Sequence, residues 1–240
     1  MRAARCTRGR AGHAFGAGLL ALAAIGPFDA SRAQVAPAPA QVQTYQGLHA
    51  AAWAGDGARI WQLAADGADL NARDGHGRTP LHVAAFARQR GAIEALARAG
   101  ADLNRLEDDR YDAVTVAAVA DDEDTLRTLL ALGASARQTT SRYDGTALIA
   151  AAHLGHDGVV RQLIAAGAPL DHVNNLHWTA VIESIVLGNG GARHQATLKA
   201  LIDAGASLQL ADRSGATPLQ LAQARGYAEM VRMLQAAGAR

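Results

Sequence analysis

Five of the nine histidines (His153, His156, His172, His177 and His194) fall between residues 153 and 194. His153 and His156 stand three apart, a spacing at which two imidazoles on one helix face could share a zinc ion. No carboxylate pattern accompanies them to orient the rings, so no metal site is expected. Asp121-Asp122-Glu123-Asp124 is the densest acidic run. It could hold a cation or dock a basic partner, but acidic residues ahead of an apolar series suit a helix N-terminus better. The only cysteine is Cys6, and no nucleophile elbow, phosphate-binding loop or dinucleotide fingerprint occurs. The expectation is a protein with no catalytic site, no metal and no cofactor.

The N-terminus reads as a sorting signal. Arg2, Arg5, Arg8 and Arg10 precede an apolar stretch of 13 residues, Ala14 to Gly26, too short for a stable membrane anchor. Ser31-Arg32-Ala33 then supplies small residues at the −3 and −1 positions of a cleavage site. Residues 1–33 are therefore expected to be removed on export to the periplasm, with secretion beyond it as the alternative. Residues 34–43, carrying Pro37 and Pro39, read as an extended linker. The first 33 residues hold five Arg and one Asp of the chain's 23 basic and 22 acidic residues, so the remainder carries 18 and 21, a net of −3. That balance argues against a nucleic-acid partner, and no segment after the leader is apolar enough to enter a membrane.

The elements that position everything else announce themselves by period. Gly-Ala pairs begin at Gly67, Gly100, Gly133, Gly167, Gly205 and Gly238, at spacings of 33, 33, 34, 38 and 33. Leu48, Leu81, Val114, Leu148, Val181 and Leu219 form a second series at nearly the same spacing. Ile60, Ile93, Leu126, Val160, Leu198 and Val231 form a third, each with an apolar partner three residues on. Such pairing lays one apolar stripe on a short helix, which the following glycine closes by adopting a left-handed conformation.

Thr79-Pro80-Leu81-His82-Val83-Ala84 matches the ankyrin signature T-P-L-H-x-A in full, at the expected period. Thr217-Pro218-Leu219 repeats its first half, and Thr146-Ala147-Leu148 and Thr179-Ala180-Val181 are weaker copies. Residues 44–240 thus resemble the ankyrin-repeat family, as an exported bacterial member. The resemblance implies an all-α helical repeat solenoid: six stacked helix-turn-helix repeats with β-turn fingers, over about 44–74, 75–107, 108–141, 142–174, 175–212 and 213–240. In the signature Thr caps the first helix and Pro occupies its first turn. Asp112-Ala113-Val114-Thr115 departs from the signature, so weaker capping is expected in repeat 3. His49 and His82 are expected to be hydrogen-bonded framework. Polar substitutions at both ends, such as Gln46 and Gln220, fit capping repeats.

Ankyrin proteins bind partners along a concave groove of finger tips and inner-helix residues. Carried over, those positions are His76 and Arg78, Asp108, Asp109 and Tyr111, Tyr143, and Leu176 and Trp178 on the fingers. On the inner helices they are Trp53, Phe86, Val119, His153 with Leu154, and Val186 with Leu187. Five of the eight aromatic residues beyond the leader fall on this stripe, the residue type on which interfaces are anchored. Tyr111 and Trp178 are accordingly expected to be solvent-accessible.

Repeat 5 carries five extra residues near Gly188–Gln195. Its Glu183 stands where other repeats hold Ala50, Val83, Val116, Ala150 and Leu221. An unpaired carboxylate there would be costly to bury; it either contacts a partner or braces the glycine-rich loop by accepting its N–H groups. The functional expectation is a monomeric, non-enzymatic module in the bacterial envelope that grips a protein partner through the groove. The alternatives are a binder of a small molecule or envelope polymer centred on repeat 5, and a secreted host-directed effector.

Overall fold

The computed structural model describes residues 35–240, so the predicted leader over 1–33 lies outside the described residues. A single helical turn, α1 (Pro39–Val42), precedes six helix pairs. The first member of each pair is an inner helix: α2 (Gly47–Ala54), α4 (Pro80–Phe86), α6 (Ala113–Val119), α8 (Ala147–Leu154), α10 (Ala180–Val186) and α12 (Pro218–Ala224). The second is an outer helix: α3 (Gly57–Ala65), α5 (Arg90–Ala99), α7 (Glu123–Ala131), α9 (Asp157–Ala165), α11 (Ala192–Asp203) and α13 (Ala228–Ala236). Inner helices pack on inner helices of the adjacent units and outer on outer, the arrangement of a repeat stack in which neighbours bury one another. No strand occurs among the described residues; an isolated antiparallel bridge between Thr140 and Gly145 closes the finger of repeat 4.

The three periodic series become the core. Leu48, Leu81, Val114, Leu148, Val181 and Leu219 are all buried, as are Ile93, Leu96, Leu126, Leu129, Val160, Leu163, Leu198 and Leu201 on the outer helices. Only in the end repeats is the outer stripe half-exposed, at Leu63 and Val231. Paired small residues, Ala51-Ala52, Ala84-Ala85, Ala117-Ala118 and Ala151-Ala152, are buried along the inner helices. Small side chains permit the close helix approach that a chain with 4% aromatic residues requires. The six glycines after the outer helices all take positive φ, between 79° and 101°, as a left-handed helix end demands.

The caps explain the signature. The Nδ1 of His82 receives the Thr79 backbone N–H at 3.2 Å and lies 2.9 Å from its hydroxyl, while Nε2 faces the Tyr111 carbonyl of the next repeat at 3.0 Å. Burial, partly offset by that carbonyl, pushes the ring down to about 4, so it is a neutral framework group. His49 does likewise with the Arg78 carbonyl at 2.9 Å. Repeat 3 is not weakly capped, contrary to expectation. Asp112 accepts from the Thr115 backbone N–H at 2.7 Å and its hydroxyl at 2.6 Å, an Asp–Thr pair in place of the Thr–His pair of repeat 2. Asp122 caps α7 through the Thr125 N–H, as the acidic run predicts.

Two segments differ from their sequence reading. Within the stretch 34–43, expected as an extended linker, the described residues contain α1, and the Val35 carbonyl accepts from Arg78 at 3.1 Å. The insertion near Gly188–Gln195 is only partly a loop. Ala192 to Gln195 form the first turn of α11, which runs to 12 residues against nine in α9.

Candidate functional site

The fingers are organised by a fourth periodic series. Asp74, Asn174 and Asp212 each accept, through one side-chain oxygen, the backbone N–H groups two and four residues on. Glu107 makes the second of those bonds in repeat 3. The finger thereby closes immediately before the residue that caps the inner helix. The carboxylate of Asp74 also receives the Tyr45 hydroxyl and the Arg78 guanidinium, each at 2.8 Å. Burial would raise it, but the His76 N–H, Tyr45 and Arg78 together hold it down at about 2.

This closure decides which predicted residues reach solvent. Arg78, Tyr111 and Trp178 occupy one equivalent position, the residue just before the helix cap, from which a side chain folds over the first helical turn. Arg78 is 2% exposed, Tyr111 9% and Trp178 7%. The expectation that Tyr111 and Trp178 are accessible anchors is overturned, and Arg78 is likewise interior, bonded to Asp74 and Val35. His76 is exposed, Tyr143 is 37% exposed and Leu176 is half-buried. Asp108 and Asp109 are exposed but engaged in a ladder across the fingers: Asp108 with Arg73 at 2.8 Å, Asp109 with Arg142 at 3.2 Å, and beside them Asp144 with Arg110 at 2.8 Å.

The inner-helix positions occupy equivalent places on successive inner helices and are neither fully buried nor fully exposed. Trp53, Phe86, Val119, His153, Leu154, Val186 and Leu187 are all half-buried. They run along the C-terminal ends of α2, α4, α6, α8 and α10, where the fingers do not cover them.

Glu183 is buried at 4% exposure, and its side-chain hydrogen bond goes to the finger rather than to the glycine-rich loop. One oxygen accepts from the Asn174 side chain at 3.0 Å. The other, buried and without a hydrogen bond, lies 3.6 Å from His153 Nδ1. Burial, only partly offset by the Asn174 hydrogen bond, raises Glu183 to about 7, and burial together with the neighbouring His194 and His156 lowers His153. Both shifts favour the neutral forms, so burial disfavours an ion pair at this approach. Glu183 ties the finger residue Asn174 to the inner helix; it braces repeat 5, though not through the atoms the sequence suggested.

The histidine-rich region disperses into separate tasks. His156 meets the Ala118 carbonyl at 2.9 Å, His172 the Asp144 carbonyl at 2.6 Å, and His194 the His153 carbonyl at 2.9 Å. Among the described residues no group of three potential ligands gathers as a metal would require. One functional contact escaped sequence reasoning altogether. Arg193, from the insertion, pairs with Asp121 through both terminal nitrogens, at 2.8 and 3.1 Å, and with Asp157 at 3.2 Å. It thereby bridges repeats 3, 4 and 5, a reach that no periodic signal could reveal.

A one-dimensional stack of helix pairs with an accessible apolar row on its inner helices and closed β-turn fingers beside it defines a helical repeat solenoid of the binding-scaffold type. The sequence profile described as ankyrin repeats, in three copies, matches residues 48–140 and again 148–240. The chain belongs to the ankyrin-repeat family. It is 40% identical over 100 residues to the ankyrin repeat protein YahD of Escherichia coli (strain K12); the match covers 41% of this chain and half the length of that relative. An ankyrin repeat domain from Acinetobacter baumannii AYE superposes with a TM-score of 0.75 at 43% identity, over 80% of this chain and 98% of that one. The ankyrin repeat domain of Bcl-3, a member of the IkappaB protein family, gives 0.73 at 26% identity, over 82% and 88%. Among the described residues no helix is long and apolar enough to cross a membrane.

Proposed function

We propose that this chain is a non-enzymatic protein-binding module of the bacterial envelope, acting as a monomer and gripping one partner protein along its inner-helix face. The observation that carries the reading is the continuous half-exposed row from Trp53 through Phe86, Val119 and Leu154 to Val186 and Leu187. Rows of apolar and aromatic side chains that stay accessible on a rigid frame are what protein interfaces are centred on. The charged ladder on the fingers supplies the polar rim, with Tyr143 and Leu176 as its apolar members. Binding by scaffolds of this family is typically through protein partners, which supports the class of ligand. The alternative of a small-molecule or polymer site on repeat 5 has less support, since Trp178 and Glu183, on which it rests, are interior.

Residues 34–240, purified and used to capture partners from a periplasmic extract of the native host, are expected to retain one protein stoichiometrically. Leu154→Ala combined with Leu187→Ala should weaken that capture at least about tenfold, since interface anchors cost more than about 1 kcal/mol each on truncation, while leaving a cooperative melt. Unaltered capture by the double variant would move the binding face elsewhere. Export is tested separately. N-terminal sequencing of the native protein should begin at or near Gln34, and an intact Met1 on cytoplasmic material would refute the envelope location.

A further inference from the structure

The insertion in repeat 5 contains the chain's only Asn-Gly pair, Asn189-Gly190; the other four asparagines are Asn71, Asn104, Asn174 and Asn175. Asn189 is exposed, in the short non-helical stretch between α10 and α11. Its side-chain oxygen accepts the Gly191 backbone N–H at 2.9 Å and lies 3.1 Å from His194 Nδ1. The rest of the stretch is fastened: the Tyr227 hydroxyl donates to the Gly188 carbonyl at 2.9 Å, and the Gln195 amide to the Gly190 carbonyl at 2.7 Å. Gly190 itself has φ of 68°, and a Cβ there would lie 2.6 Å from the Tyr227 ring. Among the described residues the Gly190 N–H makes no hydrogen bond.

We propose that Asn189 is a self-modification site, converted to aspartate or isoaspartate by attack of the Gly190 amide nitrogen on its side-chain carbonyl carbon. The new C–N bond closes a five-membered imide, and the side-chain nitrogen leaves as ammonia with a proton taken from the attacking N–H. Water then opens the imide at either carbonyl. The sum is one water consumed and one ammonia released, with no oxidation and no other reactant. Three features of the fold favour the first step. The residue after Asn189 has no side chain to shield the nucleophile, its N–H is not tied up elsewhere, and the Gly191 N–H already donates to the oxygen on which negative charge develops. The stretch is also short and pinned at both ends, which keeps the reacting groups adjacent.

The products change this corner of the molecule. Aspartate places a carboxylate where His194 met an amide. Isoaspartate adds a methylene to the main chain immediately before Gly190, which has no room to shift against Tyr227. Isoaspartate thereby presses the insertion against Tyr227 of repeat 6, close in sequence to Leu187 on the proposed binding face. The site is an irreversible clock on that edge.

The test follows the whole folded chain through prolonged incubation at neutral pH, with peptide mapping by mass spectrometry at each of the five asparagines. Modification is expected at Asn189 first, and at least as fast in the folded chain as in the same chain unfolded in guanidinium. Isomerisation at Asp-Gly pairs leaves mass unchanged and is not confused with it. A folded rate well below the unfolded one overturns the proposal. Modification that begins at any of the other four asparagines in the folded chain also overturns it.

Discussion

Trp178→Ala is expected to lower the unfolding free energy by about 3 to 5 kcal/mol, as truncation of interior aromatics does. The residue is 7% exposed and follows directly on a finger whose closure it shares, since its own N–H bonds to Asn174. An interface anchor would behave in the opposite way, leaving the melt intact and abolishing capture. Tyr111, at the equivalent position in repeat 3 and 9% exposed, should follow Trp178 in kind. Denaturant titration of the two single variants decides the matter. A change of only a few tenths of a kcal/mol would return both rings to the surface.

The second large effect depends on pH. Glu183 is raised from 4.5 to about 7 in the folded chain. As pH climbs through this window the unfolded chain releases the proton first, so folded stability declines. The loss is about 3 kcal/mol once both states are ionised. Glu183→Gln keeps an oxygen for Asn174 and removes the ionisation. The variant should therefore gain about 3 kcal/mol over wild type between pH 4.5 and pH 8, read as denaturant midpoints at the two ends. His82 acts with the opposite sign over much of the same range. Its folded value of about 4 lies below its ordinary 6.5, so stability contributed by the neutral ring is lost as pH falls from 6.5 toward 4. Wild type should show a flatter pH profile than either group alone would give. An advantage of Glu183→Gln that stays constant with pH would show that Glu183 is ionised in the folded state.

The fold was legible because the forces that make it are local and repeated. Leu81, Ile93 and Leu96 recur with their equivalents at one spacing, and Gly100 and Thr79 mark where their helices end and begin. Each of these roles depends on residue type and position alone. The site was less legible for a geometric reason. Finger residues two positions apart, such as Leu176 and Trp178, differ completely in accessibility. The difference is set by the Asn174 side chain drawing both backbone N–H groups inward. An Asp, Glu or Asn four residues before Arg78, Tyr111, Trp178 and Ala216 was the available signal, and it recurs at the repeat period. For Glu183 the sequence showed an anomaly but not its partner, because Asn174 lies on the finger rather than in the glycine-rich stretch. Arg193 was invisible for a different reason: its bonds to Asp121 cross 72 residues and have no counterpart in the other units.

That last contact bears on how such a chain can change over generations. Repeat arrays lengthen and shorten by copying or deleting whole units, and a unit whose bonds reach only to adjacent ones can be removed with the cut ends rejoined. Repeat 4 does not have that freedom. It separates Asp121 from Arg193 by one helix pair and contributes Asp157 to the same guanidinium. Excising it would leave Arg193 facing the wrong neighbour on both sides. The half-exposed ion pairs hold little energy individually, so the loss would fall on the alignment of the three units more than on stability. Among the described residues, units 3 to 5 are thus where an ion pair joins units that are not adjacent, and where a deleted unit would leave a contact unmatched.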